Sequence, residues 1–429
     1  MRFFQSLFRP LFYLFCFLLG FSLLSASSLA TSSSEQKDEI EDNSLHAKAA
    51  LLMDADSGRV LYEKNGYTKM PMASTTKIMT CIYVLENANL DETVKISSLA
   101  SSQPKVRLGV QVGEEYRLGD LLYALMLESY NDVAVAIAEH VGGTVENFCK
   151  AMTGKAKDLG CKNTSFQTPN GLDADDHYTT ARDLALIARY AIKNEKFIEI
   201  TNTPSYEIKE LKKQTSHSLT NKDAFLHQFE GAIGVKTGFT GKAGYCFVGA
   251  VKKENRSFIS VVLASGWPPN KQWKWSDTTI LMNYGVSNYE YKEVLSNKKR
   301  SSVSVARGLH NQVYIAPEKS FSLLLSSKDS VQIKTQYPKE LQAPIKAGQL
   351  AGFSYIYVNH QLIKTIPLRT TYSVKKMKYS HYLGKVVHQF ISSDYVNSFY
   401  YKSPIAGSFT INNFSKTQEK LPSLLSFQS

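Results

Sequence analysis

The sequence predicts an α/β (α+β) fold over residues 46–290, followed by a small all-β domain, a β-sandwich, over residues 295–370. Three observations carry this reading. Apolar residues recur at helical spacing in Ile78–Leu85, Leu121–Leu127 and Val133–Ala138. A glycine-punctuated strand pattern runs from Gly231 to Tyr245. Short strand-like runs, bounded by turn residues, fill much of the chain after residue 300. At 429 residues the chain has ample core for two or three domains, and no internal repeat is evident.

At the start of the chain, Arg2 and Arg9 precede the apolar run Leu11–Phe21, and Ser28-Leu29-Ala30 supplies small residues for cleavage. Residues 1–30 therefore read as a signal peptide. The apolar core is shorter than the roughly 20 residues of a spanning helix, which makes an uncleaved anchor the lesser alternative. Residues 31–45, rich in Ser, Glu and Asp, read as a flexible mature N-terminus.

Ser74-Thr75-Thr76-Lys77 opens the first helical stretch. A serine hydroxyl is a weak nucleophile near neutral pH and needs a base held within about 3 Å. If Ser74 lies in the first turn of that helix, positions i and i+3 share a face and the Lys77 amine can curl back to the hydroxyl. The Ser74 N–H, near a helix N-terminus, is then a candidate oxyanion donor. Ser34/Lys37, Ser102/Lys105, Ser296/Lys299 and Ser373/Lys376 show the same spacing, so spacing alone describes an ordinary helix start. Two further elements reverse that reading. Glu128-Ser129-Tyr130-Asn131-Asp132 is a polar break between two apolar helices, where a second hydroxyl and a side-chain amide can face a cleft. Lys236-Thr237-Gly238 sits in the strand pattern, with a glycine that permits close approach and a charge and hydroxyl suited to a carboxylate.

The ordered set Ser-x-x-Lys, Ser-x-Asn, Lys-Thr-Gly resembles the penicillin-binding proteins and active-site serine β-lactamases. Ala50–Tyr62 looks like the opening hairpin, and Met72–Thr80 the nucleophile segment, of the serine-type D-alanyl-D-alanine carboxypeptidases, the low-molecular-mass penicillin-binding proteins. Asn170–Asp173, His177–Leu184 and Gly266–Thr278 are similar to further blocks of that family, and the likeness covers about residues 45 to 290. It implies a penicillin-binding/β-lactamase-like transpeptidase fold, an antiparallel sheet flanked by helices.

The resemblance also implies roles. Ser74 would attack the carbonyl of a terminal D-alanyl-D-alanine, forming an acyl-enzyme that water resolves. Lys77 would be the base, kept neutral by burial and by the nearby Lys236 ammonium. Ser129 would relay a proton to the departing D-alanine, and Asn131 would hold the substrate amide. Lys236 and Thr237, with Gly238 beside them, would bind the terminal carboxylate, and the Phe239 N–H would be the second oxyanion donor. Lys222 and Lys274 stand where relatives often carry arginine, and a lysine offers a point charge in place of a bidentate fork. Tyr130 replaces a small residue and is expected to narrow the cleft or add a stacking wall. His177 reads as part of a loop beside the site, because Thr180-Ala181-Arg182-Asp183 forms a capping-box pattern on the following helix.

Removal of Cys16 with the signal leaves Cys81, Cys149, Cys161 and Cys246. If Val145–Leu159 is helical, Cys149 and Cys161 lie on the order of 15 Å apart, too far for a disulfide. Mostly buried free thiols are expected.

Charge changes near residue 290. Residues 291–429 hold 19 Lys+Arg against 6 Asp+Glu, so all the positive excess of the chain, +12, lies there. The family often carries a membrane anchor after its β-rich domain. Over residues 375–402, Tyr382, Leu383, Val386, Val387, Phe390 and Ile391 recur near helical spacing beside Lys375, Lys376, Lys378 and Lys385. This reads as an amphipathic helix on anionic lipid, against the alternative of a helix packed on its own domain. Residues 403–429 read as a disordered tail.

The expected protein is an exported serine DD-carboxypeptidase at the periplasmic face of the cytoplasmic membrane. It trims peptidoglycan stem pentapeptides and is inhibited by β-lactam antibiotics. It requires no cofactor or metal, and no nucleic acid is expected as a partner. A β-lactamase is the first alternative, but the sequence offers no convincing deacylating glutamate between the second and third motifs. A non-catalytic wall-binding protein is the second, and intact Ser74, Lys77 and Lys236 argue against it.

Overall fold

A computed structural model of the chain describes residues 40–392. The segments read as signal peptide (1–30), most of the mature N-terminus (31–39) and the tail (403–429) lie outside the described residues, as do residues 393–402 of the anchor segment.

Strand β1 (Ala49–Asp54) is buried along its whole length. Its side chains alternate between two cores, Ala49, Leu51 and Met53 on one face and Ala50 and Leu52 on the other. A strand covered on both faces needs a continuous apolar run, which is what Ala-Ala-Leu-Leu-Met supplies. With β2 (Val60–Lys64), β3 (Ala232–Thr240), β4 (Gly244–Lys253) and β5 (Arg256–Leu263) it forms a five-stranded antiparallel sheet in the order β2-β1-β5-β4-β3.

One face is covered by α1 (Lys77–Asn87), α2 (Asn131–Gly142), α3 (Val145–Asp158) and α4 (Ala181–Ala191), through residues such as Ile82, Ile137, Phe148 and Ile187. The other packs on α5 (Trp273–Asn288) through Trp275, Leu281 and Met282. The Asp277 carboxylate on α5 accepts the backbone N–H groups of His46 (3.0 Å) and Ala47 (2.8 Å), which ties the chain entering β1 to this layer. Helix α4 is capped as its sequence predicts, with the Thr180 hydroxyl accepting the Asp183 N–H at 3.1 Å. The Asp183 carboxylate instead takes the Asn163 N–H (2.7 Å) and the Thr164 hydroxyl (2.9 Å), so it fastens the preceding loop.

The helical run before the polar break continues from Leu118 to Tyr123 and widens into a π turn at Ala124–Glu128. Such widened turns recur at functional sites. All four cysteines of the described residues are buried free thiols.

Beyond α5 the chain is built of strands, and the described residues divide into two interleaved units. The first comprises the chain through Lys299 with Pro317–Thr335 and Phe353–Ile366. Within it β6 (Glu290–Leu295) pairs antiparallel with the later strand Phe321–Leu325, over a small core of Leu323, Leu325, Ile356 and Val358. The second comprises Arg300–Ala316, Gln336–Gly352 and the chain from Pro367 onward. Within it β7 (Ser301–Ala306) runs antiparallel to β8 (Gln312–Pro317) and parallel to the short strand Glu340–Gln342. Val303, Val313, Ile315, Ile345 and Leu368 form its core. It also carries α6 (Tyr379–Ser392).

Candidate active site

The nucleophile turn is made at a backbone cost. Ala73 has φ +48°, a left-handed conformation unusual for a residue with a Cβ. It opens a 3-10 turn, Ala73–Thr76, and α1 proper starts only at Lys77. Side chains three apart eclipse in 3-10 geometry, so the turn aligns Ser74 with Lys77 more directly than an α-helical turn. The Lys77 Nζ lies 3.0 Å from the Ser74 Oγ.

Lys77 is fully buried, and the other partners of its Nζ are the Asn131 Oδ1 (3.1 Å) and the Asn170 carbonyl (2.5 Å). None is a carboxylate. Burial first, and the Lys236 charge second, hold its pKa well below the ordinary lysine value, against an opposing pull from Asp132. Both Asp132 oxygens are engaged by backbone N–H groups, those of Leu108 (3.0 Å) and Gly109 (2.8 Å) among them, so its work is to pin that loop.

Ser129 follows the π turn in a left-handed conformation, φ +66°. Its hydroxyl is buried and has no hydrogen-bond partner among the described residues. The adjacent Asn131 is held through its Nδ2 to the Pro104 carbonyl at 3.2 Å as well as to Lys77. Tyr130 departs from expectation. Its ring packs against the main core and is not among the residues lining the cleft, because Ser129 and Asn131 occupy the inward positions on either side of it.

Strand β3 closes the other wall. A Cβ at Gly238 would stand 3.0 Å from the Ser74 nitrogen and 3.1 Å from the Thr75 nitrogen, so only glycine lets the strand pass this close. Thr237 and Phe239 flank it along the cleft. Lys236 is buried, and its Nζ donates to the Thr237 carbonyl at 3.2 Å. Burial lowers its pKa to about 8, with the Asp223 and Glu128 carboxylates opposing the drop.

The cleft has a volume of about 410 Å³, and Ser74, Ser129, Asn131, Thr237, Lys222 and Lys274 all line it. The two lysines sit differently from each other. Lys222 is largely exposed and pairs with the Glu128 carboxylate at 3.2 Å. Lys274 is buried, its Nζ donating to the Lys271 carbonyl (2.9 Å) and resting 4.5 Å from the Trp275 ring centre. Burial, and then the charge of Lys271, lower its pKa to about 8.

His177 is a structural residue. Its Nδ1 accepts the Gln167 N–H at 3.0 Å, which leaves Nε2 to donate to the Thr76 hydroxyl at 3.0 Å. Burial holds its pKa at about 4, so the ring is neutral.

Sequence reasoning assigned no role to Asn170, whose carbonyl accepts from Lys77 and, at 3.4 Å, from the Ser74 hydroxyl. The Asn-Gly dipeptide was the available signal. Gly171 has φ +86°, and a Cβ there would stand 2.0 Å from the Ala73 carbonyl oxygen.

A family profile described as D-alanyl-D-alanine carboxypeptidase matches residues 33–266. The chain belongs to the D-alanyl-D-alanine carboxypeptidase family, whose members are serine peptidases. A second profile, the C-terminal domain of penicillin-binding protein 5, matches residues 289–376. Among curated relatives, D-alanyl-D-alanine carboxypeptidase DacF of Bacillus subtilis is 29% identical over 379 residues, which span 86% of this chain and 96% of that one. D-alanyl-D-alanine carboxypeptidase DacC of Escherichia coli is also 29% identical, over 77% of this chain and 84% of its own length. The solved structure of penicillin binding protein 5 from Haemophilus influenzae superposes with a TM-score of 0.65 at 27% identity, covering 79% of this chain and all of that one. The family's antiparallel sheet with flanking helices, followed by an all-β domain, is the architecture found here.

Proposed function

We propose that this chain is a serine DD-carboxypeptidase that removes the terminal D-alanine from peptidoglycan stem pentapeptides through an acyl-enzyme on Ser74. The observation that carries the reading is the Lys77 Nζ, buried away from any carboxylate partner and 3.0 Å from the Ser74 Oγ. A neutral amine there takes the hydroxyl proton as Ser74 attacks. The N–H groups of Ser74 and Phe239 receive the oxyanion. Ser129, whose hydroxyl is otherwise unsatisfied, passes a proton to the leaving D-alanine. Asn131 orients the substrate amide. Lys236 and Thr237 take the terminal carboxylate, with Lys274 behind them and Lys222 at the rim. A β-lactam presents a strained amide and a carboxylate to the same groups and acylates Ser74.

The test is a comparison of the purified chain with Ser74→Ala, each given a fluorescent penicillin and a diacylated Lys-D-Ala-D-Ala peptide. Stable labelling and D-alanine release are expected, and both vanish in the variant. Label lost within seconds favours a β-lactamase, and absence of both activities in the unmodified chain sinks the catalytic reading.

The protein is exported and works at the periplasmic face of the cytoplasmic membrane. No described helix is long and apolar enough to cross a membrane. On α6, however, Tyr379, Tyr382, Leu383, Val386, Val387 and Phe390 are all exposed and recur every three or four residues, with Lys375, Lys376, Lys378 and Lys385 nearby. A basic amphipathic helix of this kind suits an anionic lipid surface. Removing the residues after 380 is expected to move the protein from the membrane to the soluble fraction, and unchanged fractionation rejects α6 as the anchor.

A further inference from the structure

Next to the cleft-lining Lys222 is a buried carboxylate that the acylation chemistry does not use. Asp223 follows Lys222 and is only 6% exposed. Its backbone N–H donates to the Asn221 Oδ1 and its own Oδ1 accepts the Phe225 N–H, both at 3.0 Å. Its Oδ2 is buried and has no hydrogen-bond partner among the described residues. A buried carboxylate oxygen without a donor is costly and calls for a compensating charge.

The charges of Lys236 on β3 and Lys274 on α5 act on it, while their Nζ groups donate to the Thr237 and Lys271 carbonyls and leave Oδ2 without a partner. Lys77, the third buried lysine, does not feel Asp223; the carboxylate that acts on it is Asp132. The Asp223 charge thus supports Lys236 and Lys274, while the charge that opposes the drop at Lys77 is that of Asp132.

We propose that Asp223 is a positioning residue for carboxylate recognition, holding the Lys236 and Lys274 ammonium groups charged behind Thr237 so that the terminal carboxylate of the substrate meets two cations. The inference rests on the carboxypeptidase reading. Burial drives both ammonium groups to shed protons, and a carboxylate whose charge acts on both opposes that loss. The other groups acting on the pair are Glu128, which supports Lys236, and Lys271, which opposes Lys274. Cys246 on β4 also faces Lys274, but burial pushes its thiol up to about 12 and it stays protonated. Burial raises the Asp223 carboxyl to about 7 against the pull of both lysines, so its support develops as pH rises through 7.

Asp223→Asn keeps the bond to the Phe225 N–H and removes the charge. Acylation rates would be measured with benzylpenicillin and with its methyl ester, from pH 6 to 9.5. With benzylpenicillin the variant is expected to match the wild type near pH 6. Above pH 8 it falls about tenfold behind, its alkaline limb moved down by about one unit. With the ester the two proteins are expected to agree throughout. For the Lys-D-Ala-D-Ala peptide at pH 8.5, KM rises while kcat stays within about twofold. An unshifted alkaline limb, or equal losses on acid and ester, overturns the proposal while leaving the carboxypeptidase reading intact. A wild-type chain acylated by neither compound overturns both. If Asp223→Asn does not fold, Asp223→Glu carries the test: the retained charge predicts a wild-type limb, and a shifted limb overturns the inference.

Discussion

Lys77 and Lys236 are both buried, with 0% and 2% exposure, yet their surroundings differ. Lys77 is met by a hydroxyl, an amide oxygen and a backbone carbonyl. Lys236 is faced by the carboxylates of Asp223 and Glu128. Since burial is the same, burial does not separate a base from a cation. The charges around them differ: Asp223 and Glu128 support Lys236, whereas on Lys77 the Lys236 charge outweighs the opposing pull of Asp132. An acyl-transfer site that uses lysine for both purposes works only if the charges are distributed unequally.

Two measurements test that inequality. The larger effect is expected from Lys77→Arg, which keeps a cation beside Ser74 but replaces a removable proton with one that stays bound. Acylation by penicillin should fall by about 10²–10⁴-fold with the circular dichroism spectrum unchanged. A variant that acylates at the wild-type rate would show that Lys77 serves as a charge and not as a base. The smaller effect is the pH dependence of kcat/KM for the wild type. Lys77 must have lost its proton, which burial and the Lys236 charge favour by holding its pKa well below the ordinary lysine value. Lys236 must have kept its proton, which it loses as pH rises through about 8. An alkaline limb near pH 8 is therefore expected, with a loss of about tenfold per further pH unit. A rate that keeps climbing past pH 10 would mean that the Lys236 charge plays no part.

Much of this site was legible in the sequence because its motifs are local. Ser74 and Lys77 are three residues apart, Ser129 and Asn131 two, and Lys236 to Phe239 form one strand segment. At such separations, helix and strand geometry alone dictate which side chains share a face. The strands after residue 300 were readable for the same reason, as Phe321–Leu325 illustrates. The direction of the Tyr130 ring was not readable. The backbone reverses at Ser129, and whether the next side chain meets core or solvent depends on elements far away in the chain. The 3-10 turn at Ser74 was equally hidden, because it follows from the left-handed Ala73, and Ala has no intrinsic preference for that conformation.

What the sequence determined by itself is the chemistry on offer: a serine with a lysine at helical spacing, a second hydroxyl with an amide, and a strand that presents a cation and a hydroxyl beside a glycine. Tertiary structure alone decided which groups surround each lysine. The Asn170 carbonyl reaches Lys77 across 93 residues of sequence, and the Asp223 carboxylate faces lysines on a strand and a helix that come later in the chain. No local rule reports such neighbours. The pKa of a buried amine is set by the charges and solvent around it, and those are brought together only when the sheet and its helices close over the cleft.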